Sequence, residues 1–411
     1  MAFYTNATKT NLIDPRISQN NRLVEFRFDR DTTYLSNMRL LNVAIKATAG
    51  AFNVASGIAE VIQDITLYDG NTQLDQIRHF DLYSAFKNYM KDNASNRAVH
   101  GFLKQNNLGY EVQSVNTASA TEKLATTTAQ KTYAAANVKV YGWLDLKYCL
   151  PFLQSIPVVP TQTFKNLRLV INYKRPVLAG QSTETPLLVA DSMGDPAVAN
   201  QMASQFKGGS YVSIEHDSVH VPAFTTGLSV ANDRAVQSVS NVFKGFDNKT
   251  INRCVIVKQV GTDVASAKVN TYLGRLGSQL YLEESEQLRI NGRNQLVTPL
   301  NTPAKSLAAL TDIYGTANAF ANRLKTNQVD GKDILDAQPL ATQGQQDYRA
   351  FNLRQRIDEF VLDFSRTCEF DDSVASQATA VQNCSLTLHV FAECPKSIQV
   401  MGDKYLIGYV N

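Results

Sequence analysis

His216 and His220 flank Asp217 in the run Glu-His-Asp-Ser-Val-His. Histidine serves as acid, base and metal ligand near neutral pH. Strand geometry puts residues four apart on one face, so both imidazoles share a side. A metal needs a third ligand, which the local sequence does not indicate, and a polar strand is the expectation. Glu283, Glu284 and Glu286 form a carboxylate cluster. Paired carboxylates can act as acid and base, but a run this close reads as the solvated face of a helix. The five cysteines, Cys149, Cys254, Cys368, Cys384 and Cys394, are odd in number and contain no CxxC. They read as free, buried thiols in a reducing compartment. Gly274-x-x-Gly277 lacks the Lys-Ser/Thr of a phosphate loop and the third glycine of a dinucleotide fold. Tyr173, beside Lys174 and Arg175, could stack on a nucleic acid base, but that arrangement is commoner where a strand leaves the core. The expectation is no catalytic, cofactor-binding or metal residue, no cofactor and no enzyme activity.

The elements that would carry these residues are mostly strands. Leu23–Phe28 alternates around Glu25 and Arg27, as a half-buried strand does. Met38–Lys46, Ile58–Tyr68 and Thr72–Ile77 follow, with Asp69-Gly70 as a tight-turn signal. A helix comes next. Leu74, Ile77, Phe80, Tyr83, Phe86, Tyr89 and Met90 recur at three and four residues, with Leu74 and Ile77 assignable to either element. Further on, Thr302-Pro303 is an N-cap with proline at the first helical position. Leu307, Leu310, Ile313 and Tyr314 form the stripe of that helix and Gly315 its stop. Later strands are expected at Val138–Lys147, Asn166–Lys174, Glu359–Phe364 and Cys384–Ala392.

The chain also resembles itself. Leu67–Leu74 aligns with Arg289–Leu296 at an offset of 222, and Val43–Lys46 with Val255–Lys258 at 212. Trp143–Leu146 aligns with Val361–Phe364 at 218, and Leu167–Ile171 with Leu386–Val390 at 219. Matches in one order at a near-constant offset indicate two homologous halves. The division that follows is an N-terminal arm over 1–21, a first β domain over 22–178, a linker over 179–222, a second β domain over 223–398 and a C-terminal segment over 399–411. The loop Ser114–Ala136 is mostly Thr, Ala and Ser.

Composition excludes several classes. With 44% apolar and 19% charged residues, the chain is neither disordered nor a coiled coil. A net charge of +3, with Lys and Arg scattered, is too mild for a protein that works by neutralising phosphates, so no sequence-specific nucleic acid binding is expected. The stretch Tyr148–Phe164 holds Pro151, Pro157 and Pro160 and cannot form a spanning helix. The N-terminal residues show no apolar signal core, and the Asn-x-Ser/Thr matches at Asn6, Asn93, Asn248 and Asn383 read as chance.

Certain stretches carry a family likeness. They are Ile65–Gly70, Leu74-Asp-Gln-Ile-Arg78, Ala85-Phe-Lys-Asn88, Asn96 and Gly109-Tyr110, then Phe246–Arg253 followed by Leu288–Arg293. Together they resemble double jelly-roll major capsid proteins, such as those of polinton-like viruses, virophages and internal-membrane phages, and more distantly adenovirus hexon. The likeness spans about residues 22 to 398 and fits the duplication. It implies a mainly β fold of two tandem eight-stranded jelly rolls with short helical insertions. It further implies a structural capsid protein of a double-stranded DNA virus, assembled inside the host cell and located in the virion. Three chains would form a pseudo-hexameric capsomer that tiles an icosahedral shell. The implied partners are copies of itself, neighbouring capsomers, minor capsid or penton proteins, and an internal membrane met by the N-terminal arm. The alternative is a host- or carbohydrate-binding β-sandwich of the spike type.

Overall fold

The computed structural model describes residues 8–19, 22–46, 62–91, 139–174, 185–222, 234–260, 283–301, 303–314, 349–369, 386–402 and 404–410. In chain order the first strands are β1 (Thr8–Ile13), β2 (Ile17–Gln19), β3 (Leu23–Arg27), β4 (Thr33–Leu35) and β5 (Arg39–Lys46). Next come β6 (Ile62–Asp69), β7 (Thr72–Ile77), β8 (Lys139–Asp145), β9 (Val158–Pro160), β10 (Leu167–Tyr173) and β11 (Leu187–Met193). The second series is β12 (Gly208–Val221), β13 (Arg234–Val242), β14 (Thr250–Val260), β15 (Glu283–Ile290) and β16 (Arg293–Asn294). It continues with β17 (Arg349–Arg356), β18 (Phe360–Glu369), β19 (Leu386–Met401) and β20 (Lys404–Tyr409).

Two sheets form from each series. One joins β8, β5 and β11, with β1 on the far edge of β11, and the other joins β3, β10, β6 and β7. The second series repeats this as β17-β14-β19-β12 and β13-β18-β15-β16. Each set is a pair of four-stranded antiparallel sheets with the connectivity of a jelly roll, so the fold is a double jelly roll. Strands β2, β4, β9 and β20 are additions at the edges. One compact unit takes in residues 1–88, 94–214 and 394–410, the other mainly 215–393.

Antiparallel register explains the core of the first roll. Val24, Ile171, Ile65 and Ile77 lie opposite one another across β3, β10, β6 and β7, and Phe26, Leu169 and Leu67 form the next row. All are buried. Side chains of period two make each row a continuous apolar layer. Asp75 ends the second row, fully buried, and its carboxylate accepts the Phe152 N–H at 2.8 Å and the Gln76 N–H at 3.0 Å. The first of these bonds caps the helix Pro151–Ser155, which has no cap from its own N-terminal residue.

The two hairpin turns lie in matching strands, the first at the turn signal Asp69-Gly70. Asp69 pairs with Thr72 around Gly70-Asn71, and Ile290 with Arg293 around Asn291-Gly292. In the first turn only Gly70 takes a positive φ (57°), the type II′ form. In the second, Asn291 (51°) and Gly292 (75°) both do, the type I′ form. The equivalent residue of Asn291 is therefore Gly70, one place later than the alignment of Asp69-Gly70 with Asn291-Gly292.

Several expectations need correction. The Val43 and Leu67 matches fall on equivalent strands, β5 with β14 and β6 with β15. The other two do not: β8 is equivalent to β17 rather than β18, and β10 to β18 rather than β19. The stretch 179–222 is no linker in its described part, since it holds β11, a helix Pro196–Gln205 capped by Asp195, and β12. Residues 404–409 form β20, paired with β19, and Tyr405 donates to Asp69 at 2.9 Å and stacks edge-on against Phe164.

The N-terminal arm is the clearest revision. Thr8–Ile13 is the first strand of the first roll, paired with β11 over six residues. Thr10 donates to Asp191 at 2.7 Å, and the Asn11 amide donates to Ser192 at 2.7 Å and to the Ala190 carbonyl at 3.2 Å. Ordering costs about 1–2 kcal/mol per residue, and an apolar count alone cannot offset it. Ladder and side-chain hydrogen bonds supply what the apolar side chains lack, while Leu12 remains 62% exposed. Deleting residues 2–20 should therefore lower the melting temperature by several degrees, measured by calorimetry. An unchanged melting temperature would show that β1 is dispensable to the fold.

Candidate functional site

Glu286 shows how far a strand differs from a helix face. It lies on β15, where Val239, Phe364 and Glu286 form one row across β13, β18 and β15. The equivalent row of the first roll is Val24–Ile171–Ile65, so Glu286 occupies the place of a core isoleucine. It is fully buried. Lys258 of β14 reaches it at 2.5 Å and Arg349 of β17 at 2.7 Å, both from the facing sheet and both buried. The Lys258 ammonium also lies 5.4 Å from the Phe364 ring centroid. Burial acts to raise the Glu286 carboxyl, but the Arg349 and Lys258 charges outweigh it and hold the group below the usual carboxylate range. The carboxylate is thus a structural anion joining two sheets, a role opposite to the solvated helix face expected of the cluster.

His216 and His220 do lie on a strand, β12. Only His216 finds a histidine partner, and it is remote in sequence. Its Nε2 stands 3.0 Å from Nδ1 of His389 on β19, a strand adjacent in the same sheet. The ring centroids are 5.3 Å apart with 29° between the planes, so the rings meet edge to edge in line, and Phe391 packs on His216 at 4.9 Å. His389 is 2% exposed, while His220 faces solvent. Asp217 is occupied by backbone: it accepts the N–H groups of Gly245 and Ser218, each at 2.8 Å. A spacing rule within one peptide could not reveal His389. The signal available was weaker, a lone histidine in the apolar strand Leu386–Ala392.

The remaining candidates have structural places. Tyr173 is buried, which pushes its hydroxyl well above the ordinary tyrosine range, so its ring is no stacking platform. Lys174 pairs with buried Asp81 at 3.3 Å, and Arg175 lies outside the described residues. Cys149, Cys254 and Cys394 are buried and none is in a disulfide, and burial pushes the Cys149 thiol well up. Cys368 is on β18. Cys384, Gly274, Gly277 and the loop Ser114–Ala136 lie outside the described residues. Among those described, no helix is long and apolar enough to cross a membrane.

What the surface offers instead is apolar side chains on edge elements. Val236 (67% exposed) and Val242 lie on β13, Met401 and Leu406 on the β19–β20 hairpin, and Ile17 on β2. β13 pairs only with β18 among the described strands. Exposed edges of this kind are ready to pair with another chain.

No protein-family model and no curated protein matches this sequence. Solved structures match in fold. The structure of PBCV-1 VP54 fitted into a cryo-EM reconstruction of the virophage Sputnik gives a TM-score of 0.54 at 10% identity, covering 98% of this chain and 97% of that one. The mavirus major capsid protein gives 0.53 at 8% identity, covering 98% and 90%. A cryo-EM structure of the Sputnik virophage gives 0.52 at 9%, covering 98% and 89%. The described residues form a double jelly roll, and the chain is similar in fold along nearly its whole length to these proteins of viral capsids.

The triad generates a test. Glu286→Gln would leave two buried cations without their counter-charge and should cost about 3–5 kcal/mol at neutral pH. Because the folded carboxyl titrates low, its contribution is present above the unfolded value near 4.5 and is lost as pH falls through the lower folded value. Denaturant melts should show a steeper acid loss in the wild type than in Glu286→Gln. Equal slopes would remove the ion triad as the cause.

Proposed function

We propose that this chain is a major capsid protein, the structural subunit of an icosahedral viral shell. One observation carries the reading: two eight-stranded rolls in a single chain, matching viral capsid proteins over almost the full length of each. A trimer of such chains presents six rolls and imitates a hexagon, so one product can tile a closed surface. Permanent contacts of this kind usually bury more than about 2,000 Å². The low charge and the apolar edges at Val236, Met401 and Leu406 suit surfaces that meet further copies. Minor capsid proteins would close the positions that a hexagonal block cannot fill. The polar clusters named above act as caps, ion pairs and turn anchors, which supports a structural rather than a catalytic role.

Light scattering of the purified chain should give three times the 45.4 kDa of one chain, and electron microscopy should show hexagonal capsomers or shells. A monomer at all concentrations would sink the proposal. A glycan-dependent rise in melting temperature without assembly would favour a carbohydrate-binding sandwich instead.

A further inference from the structure

We propose that β20 is a two-fold contact through which the chain joins a second copy of itself, strand edge to strand edge and antiparallel. β20 pairs only with β19 among the described strands. The Val410 N–H donates to the Pro395 carbonyl at 2.9 Å, and antiparallel bonding alternates from there. Lys404, Leu406 and Gly408 therefore turn their backbone groups toward β19, while Tyr405 and Ile407 turn theirs outward. Edge strands are commonly blunted by proline, a bulge or charge. β20 contains no proline, keeps an unbroken register with β19 and has one charge, Lys404 at its start.

The residues of the strand fit a copy of themselves. Lys404, Leu406, Gly408 and Val410 make one exposed face, with Leu406 59% exposed. A two-fold axis through Ile407 sets Ile407 against its own copy, Leu406 against the partner's Gly408 and Lys404 against the partner's Val410. The central pair is then hydrogen-bonded. Leu406 and Gly408 fall in the non-bonded pairs beside it, where Cα atoms approach to about 4.5 Å. A Cβ on Gly408 would meet nothing within 4 Å, so the backbone there is bare. Each Leu406 covers the bare backbone of the other copy. Charge agrees with this arrangement. The two lysines stand at opposite ends of the pair, about 20 Å apart, beyond the screening length of about 8 Å at physiological salt. A parallel pairing in register would set lysine beside lysine, which is unfavourable.

Six strand residues on each side fall well below the roughly 20–30 of a standard interface. The contact is therefore weak between single chains and gains strength where chains are already grouped. The inference goes beyond the capsid reading and does not rest on it, since it needs only two chains.

Sedimentation of the purified full chain at rising concentration should show a species of twice the main mass, with a share that grows with concentration. Leu406→Asp sets two like charges diagonally across the axis and should abolish the doubling. Gly408→Glu should do the same, and the open space around Gly408 accommodates the side chain. Val297→Asp, at a fully exposed residue outside β20, should leave the doubling intact. Cross-linking with oxidised glutathione reads the register. The double variant Leu406→Cys, Gly408→Cys should give a disulfide-linked pair of chains, because the facing Cα atoms suit a disulfide. Either cysteine alone should give none, since its own copy lies diagonally at about 7–8 Å. Doubling unchanged in both charged variants, or single variants that cross-link as well as the double one, would overturn the proposal. So would a wild type that never doubles together with a double variant that never cross-links. Capsomers that form without doubling would count against this contact alone and leave the capsid reading standing.

Discussion

Inward-facing rows of side chains govern both rolls. Two sheets of period two must close on each other, and every position of each row must be apolar or neutralised in place. The first roll meets this with Val24–Ile171–Ile65–Ile77 and with an aspartate whose bonds go to a helix end. The second puts Glu286 where the first has Ile65 and brings Lys258 and Arg349 to it across the sandwich. Such a group adds little net stability over an apolar set, because desolvating three charges is costly. Its effect is on register. Slipping β15 by one residue would turn Glu286 outward and leave two cations buried opposite serine or glutamine.

Local signals were legible and distant ones were not. The hairpins around Gly70 and Asn291-Gly292 follow from turn residues within four positions, and both appear in the structure. The later strands depend on how much chain lies between them. Between β8 and β10 the first roll carries two short helices and β9, spanning Leu146–Pro160. Between β17 and β18 the second has only Ile357–Glu359. The true offset therefore falls from 221 at the hairpins (Asp69 to Ile290) to 193 at Leu167 and Phe360. A search for constant offset then matched β10 with β19 on the strength of alternating leucines, a pattern any buried strand of either roll can show.

The same limit hid β1 and the histidine pair. Thr8–Ile13 has few buried apolar side chains, so a count of hydrophobic residues reads it as an arm. Its order comes from backbone bonds to a strand about 180 residues later, for which a sequence carries no local mark. His216 likewise owes its histidine partner to sheet order. Where polar residues sit in strands, their roles are set by the neighbour across the ladder, and that neighbour is chosen by the whole topology.

The topology also constrains how the fold is completed. The first compact unit is built from discontinuous chain: residues 1–88, 94–214 and 394–410. Its last segment supplies Tyr405, which bonds Asp69 at the first hairpin and covers Phe164. Within that segment, Ile398 lies so close to Gly208 that a Cβ there would overlap its carbonyl oxygen, and Gly208 holds φ at 101°. The first unit therefore closes only after residues 394–410 are made. Contacts this remote slow folding, because loop-closure entropy is spent before the contacts repay it. A chain halted before residue 394 has all eight strands of its first roll but lacks the Tyr405 contacts that cover Phe164 and hold Asp69 at the hairpin.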